Sequence, residues 1–354
     1  MDQLWRSFIT DARSSYRLYS QDVDAERRTG VSQTKHFFQI AGQFFWAILE
    51  KLSPPRRVLL LVAIALIVFP GGEATWEGSA GNVHYSLNTH FYGGLLMFIL
   101  LVLEVGDRVV MKRDLQIAKE IQTWLLPADP PVVSGLEIAF ATRPANTVAG
   151  DYYDVFPRHA EGRETFVFAM ADVAGKSIPA ALLMATIQAS LKTLAASPGS
   201  LADIVGRMNQ YACSNSQNGR RFTTAFLGEY DPATNSLMYV NAGHNPPVLR
   251  RKSGSIEKLT EGGIPLGILE AAVYGAASVK LESGDYLAVF TDGVVEAENG
   301  RGEEYTEQRL LYMLHMGCEL PPVQLLQNLI VDVDRFVAGA PQHDDITCML
   351  VKAN

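Results

Sequence analysis

The stretch that most constrains the fold is Thr165–Ala185, which reads TFVFAMADVAGKSIPAALLMA. Its first half alternates apolar residues with a period of two and predicts a β-strand that ends at Asp172. After a glycine break, Ser177 can cap the next element, and Pro179 suits the first turn of a helix. A carboxylate at the end of a buried strand, just before a helix, either caps that helix or holds a metal ion. This stretch alone leaves both interpretations open.

Length and charge exclude several classes of protein. The 354 residues allow one good-sized domain plus a smaller one, and the net charge of −8 does not indicate a nucleic-acid-binding surface. The widely spaced Cys213, Cys318 and Cys348 form no CxxC or Cys/His cluster. They indicate a reducing compartment, with neither a disulfide framework nor a zinc site.

The N-terminal region changes character along its length. Residues 1–30 are polar and mixed in charge, and we expect a partly ordered cytosolic tail. Residues 31–52 interleave aromatic residues with glutamine and lysine. This pattern is typical of an amphipathic helix on a membrane surface, and equally of an ordinary packed helix.

Two apolar runs follow, Val58–Phe69 and Phe91–Leu103. Each strict run is shorter than the ~20 residues of a bilayer span. The first can be lengthened towards Trp76, and the second from Leu87 to Gly106. A cleavable signal peptide is not expected, because more than fifty residues precede the first run.

The charges around the two runs favour a membrane hairpin. The cations at their outer ends are Arg56, Arg57, Arg108, Lys112 and Arg113. The connection 71–90 has Glu73 and Glu77 but neither lysine nor arginine, which predicts that both ends lie in the cytoplasm. Tryptophan and tyrosine are enriched at membrane–water interfaces, and the predicted hairpin has Trp76, Tyr85 and Tyr92 near such positions. The alternative is a pair of buried helices in a soluble domain.

A charged helical pattern continues to the prolines at 127–131. Alternating steps of three and four residues, over about two heptads, separate the positions Val110/Met111, Asp114/Leu115, Ile117/Ala118, Ile121 and Trp124/Leu125. The apolar seam of this pattern consists of Leu115, Ile117, Ile121 and Leu125. The pattern predicts a signalling helix within 107–130 that pairs with a second copy as a short coiled coil, or a plain linker helix.

From Leu136 onward the chain is rich in short strands. The predicted strands are 136–142, 165–173, 223–231, 236–243, 247–251, 276–282, 285–292 and 346–352. The predicted helices are 179–196, 200–216, 306–315 and 322–338. Hairpin-linked strands with segregated helices indicate an α+β layered sandwich and not a βαβ fold. The predicted domains are a tail and juxtamembrane helix (1–57), a transmembrane hairpin (58–106), a linker helix (107–130) and a globular domain (131–354).

Several aspartates in this domain stand where strands end or begin. They are Asp151 and Asp154 in GDYYD, Asp172, Asp292 in TDG, and Asp344 and Asp345 before the last strand. Converging carboxylates repel one another unless cations lie between them. Oxygen-only ligation suits Mg²⁺ or Mn²⁺, and two such ions can activate a water and clamp a phosphate.

The order of these motifs resembles that of PPM-type (protein phosphatase 2C-like) serine/threonine phosphatases. The motifs are GDYYD at 150–154, DVAGKSIPAALLMA at 172–185, FTTAF at 222–226, YVNAGHNPP at 239–247, GIPLGI at 263–268, TDGVVEA at 291–297 and HDDITCMLV at 343–351. The most similar branch is the bacterial sporulation stage II protein E and sigma-B regulator type. The resemblance covers about residues 115–352.

The resemblance implies an αββα sandwich with two divalent cations, Mn²⁺ or Mg²⁺, at one end. Asp172 would bridge both ions, and Asp292 and Asp344 would complete one of them. Asp151 and the Val173 carbonyl would hold the other. Asp172 and Asp151 would then act in catalysis through a bound water.

Some positions depart from the family pattern or have an open role. Ala149 and Ser177 stand where the family usually has glycine. Asp345 occupies a position that other branches fill with asparagine, and Arg143 is a weak candidate for binding phosphate. His244 either donates a proton to the leaving serine oxygen or belongs to a rigid structural turn.

The sequence therefore predicts a membrane-tethered phosphatase that acts on phosphoserine or phosphothreonine, with its catalytic domain on the cytoplasmic side of a bacterial inner membrane. By resemblance, its substrate is a STAS-type anti-sigma-factor antagonist in a partner-switching pathway. The competing hypothesis is a non-catalytic membrane receptor or scaffold whose phosphatase-like domain only binds that partner.

Overall fold

The computed structural model of the protein describes residues 42, 45, 46, 49–69, 73–78, 81–86, 88–160, 162–216 and 221–354. The predicted tail over 1–30 and most of the aromatic segment over 31–52 lie outside the described residues. The chain divides into two compact units, Met1–Met111 and Lys112–Asn354.

In the first unit, helix α1 (Pro54–Val68) packs against the start of helix α2 (Thr89–Leu125). A side chain at Gly93 would place its Cβ 2.7 Å from Ile67, so glycine permits the close approach of the two helices. Arg56, in the first turn of α1, pairs with Asp107, in the middle of α2, at 2.7 Å.

Between these helices lies a two-stranded antiparallel hairpin, β1 (Glu73–Gly78) and β2 (Gly81–Ser86). The predicted lengthening of the first apolar run towards Trp76 is therefore wrong. The sequence Pro70-Gly71-Gly72 opposes helix continuation, and Thr75 and Trp76 favour an extended chain. Helix α1 has 15 residues, fewer than the ~20 that a bilayer span needs.

Helix α2 contains both the second apolar run and the linker helix, which the sequence analysis predicted as separate segments. It runs without a break for 37 residues, from the second apolar run through the predicted linker.

The second unit contains two sheets. The first has the order β10-β7-β6-β5-β4 with β11 paired to β7, and the second has the order β3-β13-β12-β8-β9. The strands of the first sheet are β4 (Tyr152–Ala160), β5 (Arg163–Val173), β6 (Thr223–Asp231), β7 (Ser236–Ala242), β10 (Gly262–Gly263) and β11 (Ala277–Lys280). Those of the second are β3 (Leu136–Arg143), β8 (Val248–Arg250), β9 (Ile256–Lys258), β12 (Tyr286–Phe290) and β13 (Ile346–Ala353).

Four longer helices cover the outer faces of the two sheets. They are α3 (Ser177–Ala195), α4 (Leu201–Ser214), α6 (Glu307–Met316) and α7 (Pro322–Val337), and the short α5 (Asp292–Val295) precedes α6. Helices α3 and α4 pack on the first sheet, and α6 and α7 pack on the second. A third apolar cluster, which includes Phe168, Phe226 and Leu249, fills the space between the sheets. The predicted αββα sandwich is therefore confirmed.

The strand that the sequence analysis missed is informative. GDYYD also begins a strand: Asp151 directly precedes β4, and Asp154 lies within it. Pro157 and Asp154 are unfavourable in strands and hide β4 in the sequence. Because β4 is an edge strand, it tolerates a proline that cannot donate a ladder hydrogen bond.

Among the described residues, the helix whose length and composition suit a bilayer span is α3. This helix lies in the sandwich, where Met184, Ile187 and Leu191 are buried against the first sheet.

Candidate metal centre

The first sheet places two aspartates side by side at one end. Strand β4 pairs antiparallel to β5 with Tyr152 opposite Ala171, so Asp151 lies beside Asp172. Asp172 in turn faces Thr224 on β6. Asp151 is buried and Asp172 half-buried.

The second sheet brings three more aspartates to its own end. Asp292 follows β12, and Asp344 and Asp345 precede the neighbouring β13. A Cβ at Gly293 would lie 2.0 Å from the Asp345 carbonyl oxygen. The TDG glycine is therefore required by the close approach of these two segments.

Hydrogen bonds join the two groups of aspartates across the sandwich. The Thr291 hydroxyl donates to Asp151 at 3.0 Å. Asp345 accepts from the backbone N–H groups of Ala145 at 2.7 Å and Gly150 at 2.6 Å. Both carboxylate oxygens of Asp345 are thus engaged by backbone, so this aspartate positions the loop that leads to Asp151.

The negative charges of these carboxylates raise one another's pKa values. Burial raises the pKa of Asp151 well above its ordinary value, and the charge of Asp172 adds to the effect. Burial also raises the pKa of Asp172 to about 7, with further contributions from Asp292 and Asp344. The pKa of Asp292 rises for the same reasons, burial first and the charge of Asp344 second. A group of acids arranged in this way favours a bound cation.

The donor set fits a hard divalent cation. The candidate ligands are all oxygen atoms. The Val173 carbonyl oxygen lies near Asp151, because a Cβ built on the adjacent Gly150 would be 3.2 Å from it. In the part of the chain that the structure describes, no three acidic, histidine or cysteine side chains are already gathered around a common metal position.

The turn after Asp172 differs from the sequence prediction. The N-cap position of α3 is Lys176, without a side-chain cap hydrogen bond, so the prediction that Ser177 caps this helix is wrong. Asp172 does not occupy that position either, which removes the capping interpretation. Ser177 instead has a φ of 66°, a conformation that suits the glycine usual at this position.

Sequence analysis also missed a contact from helix α2. The buried Gln122 side chain donates to the Ala149 carbonyl at 2.8 Å and accepts from the Ala149 N–H at 2.9 Å. Gln122 lies seven residues after Leu115 and three before Leu125, so its heptad position placed it on the inner face. It holds the backbone two residues before Asp151.

His244 and Arg143 occupy different surroundings. His244 is 4% exposed, its Nδ1 lies 3.0 Å from the Thr224 hydroxyl, and burial lowers its pKa to about 4. The imidazole is therefore neutral near pH 7, and the backbone N–H of His244 donates to Asn241 Oδ1 at 2.7 Å, as expected of a structural turn. Arg143 pairs with Asp334 and lines a pocket of about 200 Å³ together with Asp344.

Comparisons with known proteins identify relatives of this arrangement. The profile of the family described as Stage II sporulation protein E (SpoIIE) matches residues 162–354. Phosphoserine phosphatase RsbU of Bacillus subtilis is 28% identical over 250 residues, which cover 70% of this chain and 72% of that protein. Protein IcfG of Synechocystis sp. is 27% identical over 284 residues, or 72% of this chain and 44% of that protein. The chain thus spans less than half the length of IcfG.

Solved structures share the fold. The SiaA-PP2C domain of Pseudomonas aeruginosa superposes with a TM-score of 0.61 at 21% identity, over 70% of this chain and 99% of that one. The PP2C phosphatase domain of SpoIIE from Bacillus subtilis, solved with a fragment of its regulatory domain, gives 0.52 at 18% identity, over 61% and 63% of the two chains.

The conformation of Ser177 yields a prediction about stability. Ser177→Gly should raise the free energy of unfolding by about 0.5–1 kcal/mol, because glycine adopts a positive φ without strain. Ser177→Val should lower it by about 1–2 kcal/mol. Urea denaturation of the metal-free protein measures both.

Ser200 provides the matched control, because it has a φ of −72° and caps α4. Ser200→Gly should destabilise the protein slightly. Equal losses for glycine at both positions would contradict the assigned backbone conformation.

Proposed function

This chain belongs to the Stage II sporulation protein E (SpoIIE) family, and from that premise we propose that it hydrolyses phosphoserine or phosphothreonine of a protein partner, using two divalent cations. The family assignment confirms the resemblance noted above and the predicted class, a protein serine/threonine phosphatase. The observation that carries the proposal is the placement of Asp151, Asp172, Asp292 and Asp344 at one end of the two sheets, close enough for their charges to affect one another's pKa values.

The proposed metal ligands are those that the family resemblance implies, and the placement of these residues at one end of the sandwich supports them. Asp172 would contribute to holding both cations, Asp151 and the Val173 carbonyl would help to hold one, and Asp292 and Asp344 would help to hold the other. When bound, Mn²⁺ or Mg²⁺ lowers the pKa of water and neutralises the charge of a phosphate ester. Thr291 orients Asp151 by hydrogen bonding, and Asp345 holds the preceding loop in place.

Asp172→Asn should reduce phosphate release from a phosphopeptide to below about 1% of wild type at saturating Mn²⁺, because the bridge loses its charge. Its melting temperature without metal should not fall, since burial and neighbouring charges already disfavour the ionised acid. Phosphate release and thermal unfolding check the two expectations.

Asp231 supplies the control, because it pairs with Ser236 at the end of β6 far from Asp172. Asp231→Asn should retain full activity. Turnover above a few per cent in Asp172→Asn would exclude the bridging role. Failure of the wild-type chain to release phosphate with Mn²⁺ would instead favour the non-catalytic receptor.

The proposed substrate is a phosphorylated STAS-type anti-sigma-factor antagonist in a partner-switching pathway. Support comes from the motif resemblance and from two relatives, RsbU and RsbP of Bacillus subtilis, that are named phosphoserine phosphatases. RsbP is 27% identical over 52% of this chain and 46% of its own length.

We further propose that 58–106 is a hairpin in the bacterial inner membrane, with residues 1–57 and the domain 131–354 in the cytoplasm. Large apolar side chains are exposed along α1 and the first half of α2, including Leu61, Ile67, Phe98 and Leu101. Contiguous exposed apolar surface is typical of a membrane or interaction site. The asymmetry of arginine and lysine around the runs supports the orientation.

Cysteine labelling tests this topology. A cysteine at Asn82, in β2, should react with a membrane-impermeant maleimide in intact cells, whereas one at Lys258 should react only after permeabilisation. The wild-type chain, with its three cysteines, gives the background. The reverse pattern, or recovery of the whole chain in aqueous extract without detergent, would contradict the hairpin.

Helix α2 is proposed to gate the catalytic centre as a homodimer element. Gln122 clamps Ala149, and Gln188 of α3 donates to the Leu125 carbonyl at 3.4 Å. Of the predicted seam, Leu115 and Leu125 are half-buried, whereas Ile117 and Ile121 are 44% and 48% exposed. The exposed pair is available to a second copy of the helix.

Ile121→Asp should abolish dimerisation of the full chain and lower turnover several-fold, with little change in melting temperature, because the charge enters an exposed seam. Light scattering and phosphate release at matched Mn²⁺ check this. Thr123→Asp places the same charge outside the seam and should act like wild type. Equal rates for all three proteins would leave α2 a plain tether.

A further inference from the structure

Lys176 connects the two segments that carry metal-centre aspartates. It lies in the turn after β5, and its ammonium group is 3.4 Å from Oδ2 of Asp344, which precedes β13. The same ammonium group donates to the carbonyl of His343. One side chain therefore ties the turn after Asp172 to the segment of Asp344.

In the absence of a metal ion, both carboxylate oxygens of Asp344 have a partner within the chain. Its Oδ1 accepts the N–H of Asp345 at 2.9 Å, and its Oδ2 faces Lys176. Arg143, the other cation lining the adjacent pocket, is paired with Asp334 on α7. In the described parts of the chain, Lys176 is thus the cation that forms an ion pair with a proposed metal ligand, whereas Lys192 pairs with Asp154 in β4.

The surroundings make this pair more consequential than an isolated surface ion pair. Isolated surface pairs contribute little to stability, but the charge of Lys176 also lies close enough to Asp292 to oppose part of the rise in pKa that burial and the charge of Asp344 cause there. The ammonium group thereby offsets part of the repulsion among the acids. The Lys176 side chain is 53% exposed, so it can swing into water without burying its charge.

We propose that Lys176 is a resident counter-ion of the metal centre, and that an entering divalent cation must displace it from Asp344. The inference rests on the proposed metal-dependent function. The lysine weakens cation binding because it competes for the same carboxylate, and it stabilises the metal-free state. Loading the centre then releases the turn 174–177 from the segment 343–345.

Direct binding of Mn²⁺ to the purified full chain, followed by electron paramagnetic resonance of the free ion, tests this competition. Lys176→Gln should tighten Mn²⁺ binding about three- to tenfold and lower the melting temperature of the metal-free protein. At saturating Mn²⁺ the melting temperatures of Lys176→Gln and wild type should agree. Lys176→Arg, which retains the charge, should remain close to wild type in both measurements.

Lys280→Gln controls for the change in net charge. Lys280 pairs with Ser236 at the end of the first sheet opposite Asp172, so this variant should bind Mn²⁺ as wild type does. Unchanged or weaker binding by Lys176→Gln overturns the role of the lysine while leaving the metal centre intact. Absence of Mn²⁺ binding by every variant, wild type included, overturns the metal centre and the lysine's role with it.

Discussion

Mutual repulsion among carboxylates is the constraint around which this domain is arranged. Burial and neighbouring negative charge raise the pKa values of Asp151, Asp172 and Asp292, so holding them together as anions costs free energy. Polar groups of the chain offset part of that cost. Thr291 donates to Asp151, and the ammonium group of Lys176 faces Asp344. A bound divalent cation is the group that would offset the remainder.

The same contacts make the candidate metal centre part of the sandwich. Asp345 of the second sheet accepts from Gly150 beside the first sheet, and Gly293 allows the Asp345 backbone to approach closely. The carboxylates therefore cannot be rearranged independently of the two sheets. Since protein cores have few discrete packings, a shift of one sheet edge or of α3 changes the separation of several ligands together.

The sequence predicted what depends on local pattern. Strand β6 was predicted at its observed bounds, because alternating apolar residues are flanked by turn residues. The aspartates were found because strand ends of one sandwich meet at common edges. Strand β4 was missed because Pro157 disrupts its pattern, and no local signal places Ser177 at positive φ. The contacts of Gln122 with Ala149 and of Lys176 with Asp344 join distant segments, which periodicity cannot pair.

These two contacts act on different segments of the candidate metal centre. Gln122 holds the backbone before Asp151, and Lys176 holds Asp344. If helix α2 has two positions that differ in how they place Asp151, those positions must also differ in affinity for the cation. Thermodynamic linkage then requires that the cation favour the helix position that binds it better, by the same factor. A signal carried by α2 would accordingly change cation occupancy as well as turnover. The strength of the Lys176–Asp344 pair would set the cation concentration at which the signal changes that occupancy.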